Sequence, residues 1–217
     1  NGKFRHSYTD AQIGYANYVL KEFERMFSGG EYKDIEVIFQ KAQAEQNRRI
    51  DPLVFDLDGD GITTVSLEES NLDNNGFAEK TSWVGAKEGL LAYDKNGDGI
   101  INGGNELFGD RTLMKDSKTL ASSGFTALAE YDNNKDGKID SNDAIYTLLR
   151  IWQDSDGDGI ASAGELKQLV DLGIVSIGLS YNNTGVTDGA NNIQVRTGTF
   201  TLADGSTRMT GEYLLNR

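Results

Sequence analysis

The chain has no cysteine, so no disulfide framework holds it and neither thiol nucleophiles nor thiolate ligands are available. It has one histidine, His6, whose place near a chain end makes it a solvated side chain rather than a base or a ligand. No apolar run approaches eighteen residues, which speaks against membrane insertion. No signal-peptide pattern opens the sequence, so classical N-terminal export is not supported, whereas a C-terminal export signal on a longer parent protein would leave no trace here. Positive charge is in deficit: the formal net charge of −13 argues against nucleic acid as a partner. Proline is nearly absent as well. The single one, Pro52, stands directly after Asp51, and 217 residues are enough for one buried core or two small ones.

The Asp51-Pro52 bond is a tertiary amide without an N–H, with a weakened trans preference, so it twists and accepts a proton at nitrogen more readily than other peptide bonds. The Asp51 carboxyl can attack its own carbonyl carbon, closing a five-membered anhydride and expelling Pro52 as a secondary amine. Intramolecular attack of this kind gains roughly 7–11 kcal/mol from proximity, but only when the carboxyl is held in line. Taken alone, the dipeptide more often marks only the end of a helix. Arg48 and Arg49 just before it suit a helix C-terminus, and the alternative is that they steady a developing oxyanion.

The excess acid is concentrated in four glycine-hinged loops. A calcium loop of the EF-hand kind takes ligands at positions 1, 3, 5, 7 (a backbone carbonyl), 9 and 12, with glycine at 6. The first loop supplies Asp56, Asp58, Asp60 and Ile62, but its position 12 is Leu67, so closure falls to Glu68, Glu69 or a distant group. The second supplies Asp94, Asn96, Asp98 and Ile100, with Glu106 again one place late. The third (Asp132, Asn134, Asp136, Lys138, Asp140, Asp143) and the fourth (Asp154, Asp156, Asp158, Ile160, Ser162, Glu165) keep the regular spacing. Fourteen of the 34 acids lie in these loops, leaving 20 against 21 bases, so a bound cation would offset most of the charge. Calcium is the expected ion, with affinities near the extracellular range. Magnesium prefers water-rich octahedral sites.

Apolar periodicity predicts an amphipathic helix over 10–28, a second over 31–49 across Gly29-Gly30, and helix-loop-helix-loop-helix packing around loops 3 and 4. From Ile174 the period changes to two. The runs 193–197 and 199–202, the latter turning through 203–206 into 207–209, predict a small antiparallel sheet that also accepts the 53–57 strand. The expected fold class is therefore α+β: an N-terminal helical hairpin, paired EF-hand-like calcium loops and a small sheet. Residues 1–51 would form a helical segment upstream of the bond and 52–217 a calcium-binding module.

Asp51-Pro52, the apolar strand after it, the Asp56-x-Asp58-x-Asp60-Gly61 loop, the further loops and the run Gly104-Asn105-Glu106-Leu107-Phe108-Gly109 together resemble the calcium-triggered self-processing module of FrpC-type, iron-regulated RTX proteins secreted by Gram-negative pathogens. The resemblance runs from about residue 50 onward. It implies that calcium triggers breakage of the Asp51-Pro52 bond, with Asp51 and Pro52 as the reacting residues, and that the Asp51 anhydride meets water or a lysine amine, forming an isopeptide cross-link. It further implies secretion of a larger parent protein by the type I route. The glycine-rich nonapeptide repeats of such proteins are absent from this stretch.

The leading expectation is a monomeric, single-turnover self-cleaving module in which calcium acts through folding, its only other partners being acceptor lysine amines. The alternative is a non-catalytic calcium-stabilised binding or spacer module of a secreted adhesin. A cytosolic calcium sensor is weaker, since two loops are irregular and no Met-rich helix is evident. No proton donor for the Pro52 nitrogen can be named from these residues.

Overall fold

Leu53, Val54 and Phe55 are three consecutive apolar residues whose side chains alternate between the faces of a strand, so both faces must be covered for the segment to persist. In a computed structural model of the chain they form β1 (Leu53–Phe55), all three fully buried. The described residues are 51–66, 82–101, 104–110, 112–115, 119–162 and 164–216, and all belong to one compact unit. The two expected helices over 10–28 and 31–49 lie outside them.

The strands that follow are β2 (Thr64–Ser66), β3 (Ser82–Val84), β4 (Gly89–Ala92), β5 (Lys138–Asp140), β6 (Arg150–Trp152), β7 (Leu166–Gln168), β8 (Ile174–Gly178), β9 (Asn182–Thr187), β10 (Ile193–Leu202) and β11 (Thr207–Leu214). One nine-stranded antiparallel sheet runs β5-β8-β10-β11-β1-β4-β6-β7, and β2 pairs with β3 apart from it. β9 joins the same sheet beside the N-terminal part of β10, while β8 pairs with its C-terminal end. β1 is interior, opposite β11 in the register Leu53↔Glu212, Val54↔Gly211, Phe55↔Thr210 and opposite β4 through Val54↔Leu90.

The alternation of β1 divides the core. Leu53 and Phe55 join one cluster with Leu91, Phe108, Phe125, Leu128, Ile151 and Phe200, the Phe55 and Phe200 rings 4.9 Å apart. Val54 joins the other with Trp83, Leu90, Trp152 and Leu215, where the two indoles meet edge to face at 5.3 Å. An interior, two-sided strand is a rigid mount for whatever immediately precedes it, and that is Pro52 and Asp51.

The α+β expectation with paired EF-hands is corrected by this architecture, which is nearly all β among the described residues. Their one α-helix is α1 (Gly124–Ala129), capped by the Ser123 hydroxyl, which accepts the Thr126 N–H at 3.0 Å. The middle helix predicted between loops 3 and 4 is instead a series of turns leading into β6, and the helix predicted after loop 4 is β7 followed by a single 3-10 turn, Val170–Leu172. These segments show apolar spacing close to 3.6, but each is too short to hold a helix by itself. Pairing captures them first: β6 lies between β4 and β7, with Ile151 opposite both Leu91 and Lys167. The strand after Pro52 does enter the sheet as expected, and the 199–209 hairpin closes through Gly205 at φ 85. The sheet around them is simply far larger. No helix among the described residues is long and apolar enough to cross a membrane.

Candidate functional site

Local backbone chemistry builds the four loops alike. In each, the first aspartate accepts the N–H of the glycine at position 6: Gly61 to Asp56 (3.1 Å), Gly99 to Asp94 (2.8 Å), Gly137 to Asp132 (2.9 Å) and Gly159 to Asp154 (2.9 Å). All four glycines have positive φ, between 71 and 100, the left-handed region that a side chain at this turn would resist. The carboxylates of Asp56, Asp58 and Asp60 come within 4.8 Å of one another, as do those of Asp154, Asp156 and Asp158, so each trio could hold a metal ion. In loops 2 and 3 the amides Asn96 and Asn134 replace the middle carboxylate and donate to Asp98 (2.8 Å) and Asp136 (3.1 Å).

Closure differs from loop to loop. Glu165 accepts the Ser155 and Ser162 N–H groups at 2.9 and 3.0 Å, and Asp143 accepts those of Asn133 and Asp140 at 2.7 and 3.0 Å, so both position-12 residues fold back over their loops. Glu106 is buried behind loop 2 in the 3-10 turn Gly104–Glu106. Glu68 and Glu69 lie outside the described residues. Loop 1 has a buried neighbour that periodicity could not show: Glu88, 1% exposed, whose Oε1 accepts both the Thr63 N–H (3.0 Å) and hydroxyl (2.9 Å) while Oε2 has no hydrogen-bond partner. Burial, with smaller contributions from Asp56 and Asp58, pushes Glu88 up to about 6. Lys87 beside it bonds Asp58 at 2.7 Å and lies 3.6 Å from Asp60, a side-chain cation placed among the same carboxylates. The position-7 residues Ile62, Ile100, Lys138 and Ile160 follow the hinge glycines directly, with Ile100 and Ile160 exposed.

The second cluster surrounds Asp51 and Pro52. Both residues are buried, and the bond between them is trans. Leu53 donates its N–H to the Phe108 carbonyl at 2.9 Å, and Tyr213 donates its own to the Pro52 carbonyl at 3.3 Å, so the dipeptide is gripped from both sides. The Asp51 Oδ1 accepts the N–H of Asp110. Gly109 packs so tightly here that a β-carbon on it would sit 2.8 Å from the Asp51 carbonyl oxygen and 2.9 Å from its Oδ1. The family-like run 104–109 therefore ends against the bond.

Glu212 completes the cluster. It lies opposite Leu53 in β11 and opposite Arg196 in β10. Its Oε2 pairs with the Arg196 Nη1 at 2.7 Å, its Oε1 accepts the Gly124 N–H at 2.7 Å, and its charge acts on the Asp51 carboxyl. Arg196 is braced in turn by the Tyr181 ring, 5.5 Å away, which stacks on Phe125. Burial first, then the charges of Glu212 and Asp110, push the Asp51 carboxyl up to about 9. At neutral pH this side chain carries a proton.

Residues 53–216 match the SPM domain family over nearly the whole described unit. The chain belongs to the SPM domain family. Over 170 residues, 76% of this chain, it is 44% identical to the iron-regulated protein FrpA of Neisseria meningitidis serogroup C, and the match spans 15% of that protein's length. Likeness to the FrpC-type family is thereby established for this SPM domain. The matched range begins one residue after Pro52, so the Asp51-Pro52 bond sits at its edge.

Sequence reasoning named Asp51 and Pro52 but not their neighbours Asp110, Arg196 and Glu212, nor the buried Glu88 beside loop 1.

Proposed function

We propose that this SPM domain is a calcium-triggered self-processing module that breaks its own Asp51-Pro52 bond. Calcium neutralises the loops, the sheet closes around β1, and Asp51 is held so that its carboxyl attacks its own carbonyl carbon. As the ring closes, the C–N bond breaks and Pro52 is released as a secondary amine; the fragment now ending in the Asp51 anhydride meets water, or a lysine amine that forms an isopeptide cross-link, which completes one turnover. Asp56, Asp58 and Asp60, with Glu88 beside them, and Asp154, Asp156, Asp158 and Glu165 are the strongest calcium-ligand sets, with the second and third loops completing four. Calcium supplies order here rather than polarisation of the bond. The likeness to FrpA fits a parent protein that is secreted and meets calcium outside the cell.

The observation that carries this reading is the immobilisation of Asp51: a buried carboxyl fixed by the Asp110 N–H, with its own carbonyl pressed against Gly109, is the preorganisation that anhydride closure needs. Metal-free protein, given millimolar calcium and run on a denaturing gel, should yield fragments 1–51 and 52–217, with heavier ladders where lysines compete with water. Mass spectrometry should place the new amino terminus at Pro52, and Asp51→Ala should abolish every product. A single unbroken band from correctly folded, calcium-loaded protein refutes cleavage and leaves a calcium-stabilised spacer.

A further inference from the structure

Resting on the cleavage reading, we propose that Glu212 is the proton carrier of the reaction: its carboxylate takes the proton of the Asp51 carboxyl as Asp51 Oδ closes on the Asp51 carbonyl carbon, and delivers it to the Pro52 nitrogen as the C–N bond breaks. One O–C bond forms, and the C–N bond and the carboxyl O–H bond break. The proton ends on the departing amine, Glu212 returns to its carboxylate, and no outside acid or base is consumed.

Three features assign this role to Glu212. It is wholly buried and sits opposite Leu53, beside the Asp51 carboxyl whose proton affinity it raises, so a proton leaving Asp51 has an acceptor next to the reacting bond. It is fixed on its far side by the Arg196 guanidinium and the Gly124 amide, both at 2.7 Å, which leaves its remaining hydrogen-bonding capacity for Asp51. And β11 runs directly along the dipeptide, with Leu53 opposite Glu212 and the Tyr213 N–H on the Pro52 carbonyl. The charged and titratable groups facing the pair are Asp110 from the 104–110 segment and Arg196 from β10, with the Tyr181 ring behind Arg196; α1 contributes only the Gly124 amide. Burial and the Glu212 charge both favour the protonated Asp51 carboxyl, so the proton that the reaction must move rests beside the carboxylate that carries it.

The arrangement also accounts for cleavage at neutral pH. Asp51 brings its own proton into the site, so no separate acid is needed.

The test uses the full chain, prepared metal-free and started with calcium, following formation of the 52–217 fragment from pH 6 to 10 in wild type and Glu212→Gln. Fluorescence of the buried Trp83–Trp152 pair reports the calcium-loaded fold. The expected result is a folded Glu212→Gln that cleaves on the order of a hundredfold more slowly at pH 7, and a wild-type rate that falls as pH passes about 9, where Asp51 loses its proton. A folded Glu212→Gln within threefold of wild type overturns the proposal. So does a wild-type rate that stays level or climbs between pH 8 and 10, the behaviour of a free Asp51 carboxylate served by another donor; this profile decides alone should the variant not fold. Wild type that fails to cleave at any pH removes the cleavage reading itself, a different outcome from either.

Discussion

Gly109 has a role that its φ does not reveal. A β-carbon there would stand 2.8 Å from the Asp51 carbonyl oxygen and 3.2 Å from the carbonyl carbon, and both are backbone atoms that cannot swing aside. Gly109→Ala should therefore shift the Asp51 carbonyl while leaving the loops intact: calcium binding by titration calorimetry stays near wild type, and gel time courses show cleavage slowed at least about tenfold, as expected when a reacting group is displaced by a fraction of an ångström. Unchanged cleavage would mean that Gly109 is merely spatial filler. Asp51 itself has a cost that depends on pH. Its carboxyl is held at about 9 in the folded chain against an ordinary value of 3.8. Below 3.8 both states carry the proton and nothing is lost; above it the unfolded chain ionises while the folded one does not, and stability declines with each pH unit until about 9. Asp51→Asn, which keeps an acceptor for the Asp110 N–H but cannot ionise, should thus be more stable than wild type by roughly 4 kcal/mol at pH 7, with the gap closing near pH 4. Chemical denaturation in calcium at both pH values, with the wild-type transition taken from the fraction still intact on a gel, checks this. A gap independent of pH would show that Asp51 is not the titrating group.

At the scale of elements, β1 connects the loop chemistry to the bond. Loop 1 leaves β1 directly, and the Asp56 N–H donates to the Met209 carbonyl at 3.1 Å, so ordering this loop fixes the strand that carries Pro52. Along the sheet, loop 3 reaches β1 through four intervening strands, β5, β8, β10 and β11. Asp58→Ala should accordingly slow cleavage about tenfold at a calcium concentration where Asp140→Ala slows it less than about threefold; equal rates would place the trigger in global folding instead. The same distinction between local and distant order explains what could be read in advance. The loops were legible because their signal is local: aspartates at fixed offsets, and a glycine at a turn that only glycine adopts cheaply. The strands after Ile174 were legible because period two survives burial on one face. The helices around loops 3 and 4 were not. Ala144, Ile145, Leu148 and Leu149 suit a helix face, but the partner that claims the next residues, β4, lies some sixty positions upstream, and pairing across such a distance leaves no mark in a local period. Glu212 and Arg196 were invisible as a site for a similar reason: what brings them to Asp51 is the β10-β11-β1 register.

For the whole molecule the governing quantity is charge. Fourteen loop carboxylates account for the net −13, and the cation paired with the loop 1 carboxylates, Lys87, is an exposed side chain that balances a single charge. Without metal the loops repel themselves, and because each adjoins a strand of one sheet, their repulsion acts on the sheet as a unit. Calcium stabilises whichever state binds it, by about 2.7 kcal/mol for each site filled at a hundred times its dissociation constant. Screening by monovalent salt weakens the repulsion but fills no site. Thermal melts and size-exclusion elution should therefore respond in two distinct ways. Sodium chloride added to chelated protein should compact the chain in part and leave Asp51-Pro52 whole, whereas millimolar calcium should raise the melting temperature in proportion to the logarithm of its concentration and start cleavage. Magnesium at equal concentration should stay closer to the salt curve, since loops built of flexible carboxylates and backbone groups suit the larger ion. A chain that elutes and melts identically in chelator and in calcium would break the link between the loops and the bond, because the site around Asp51 would then be assembled without them.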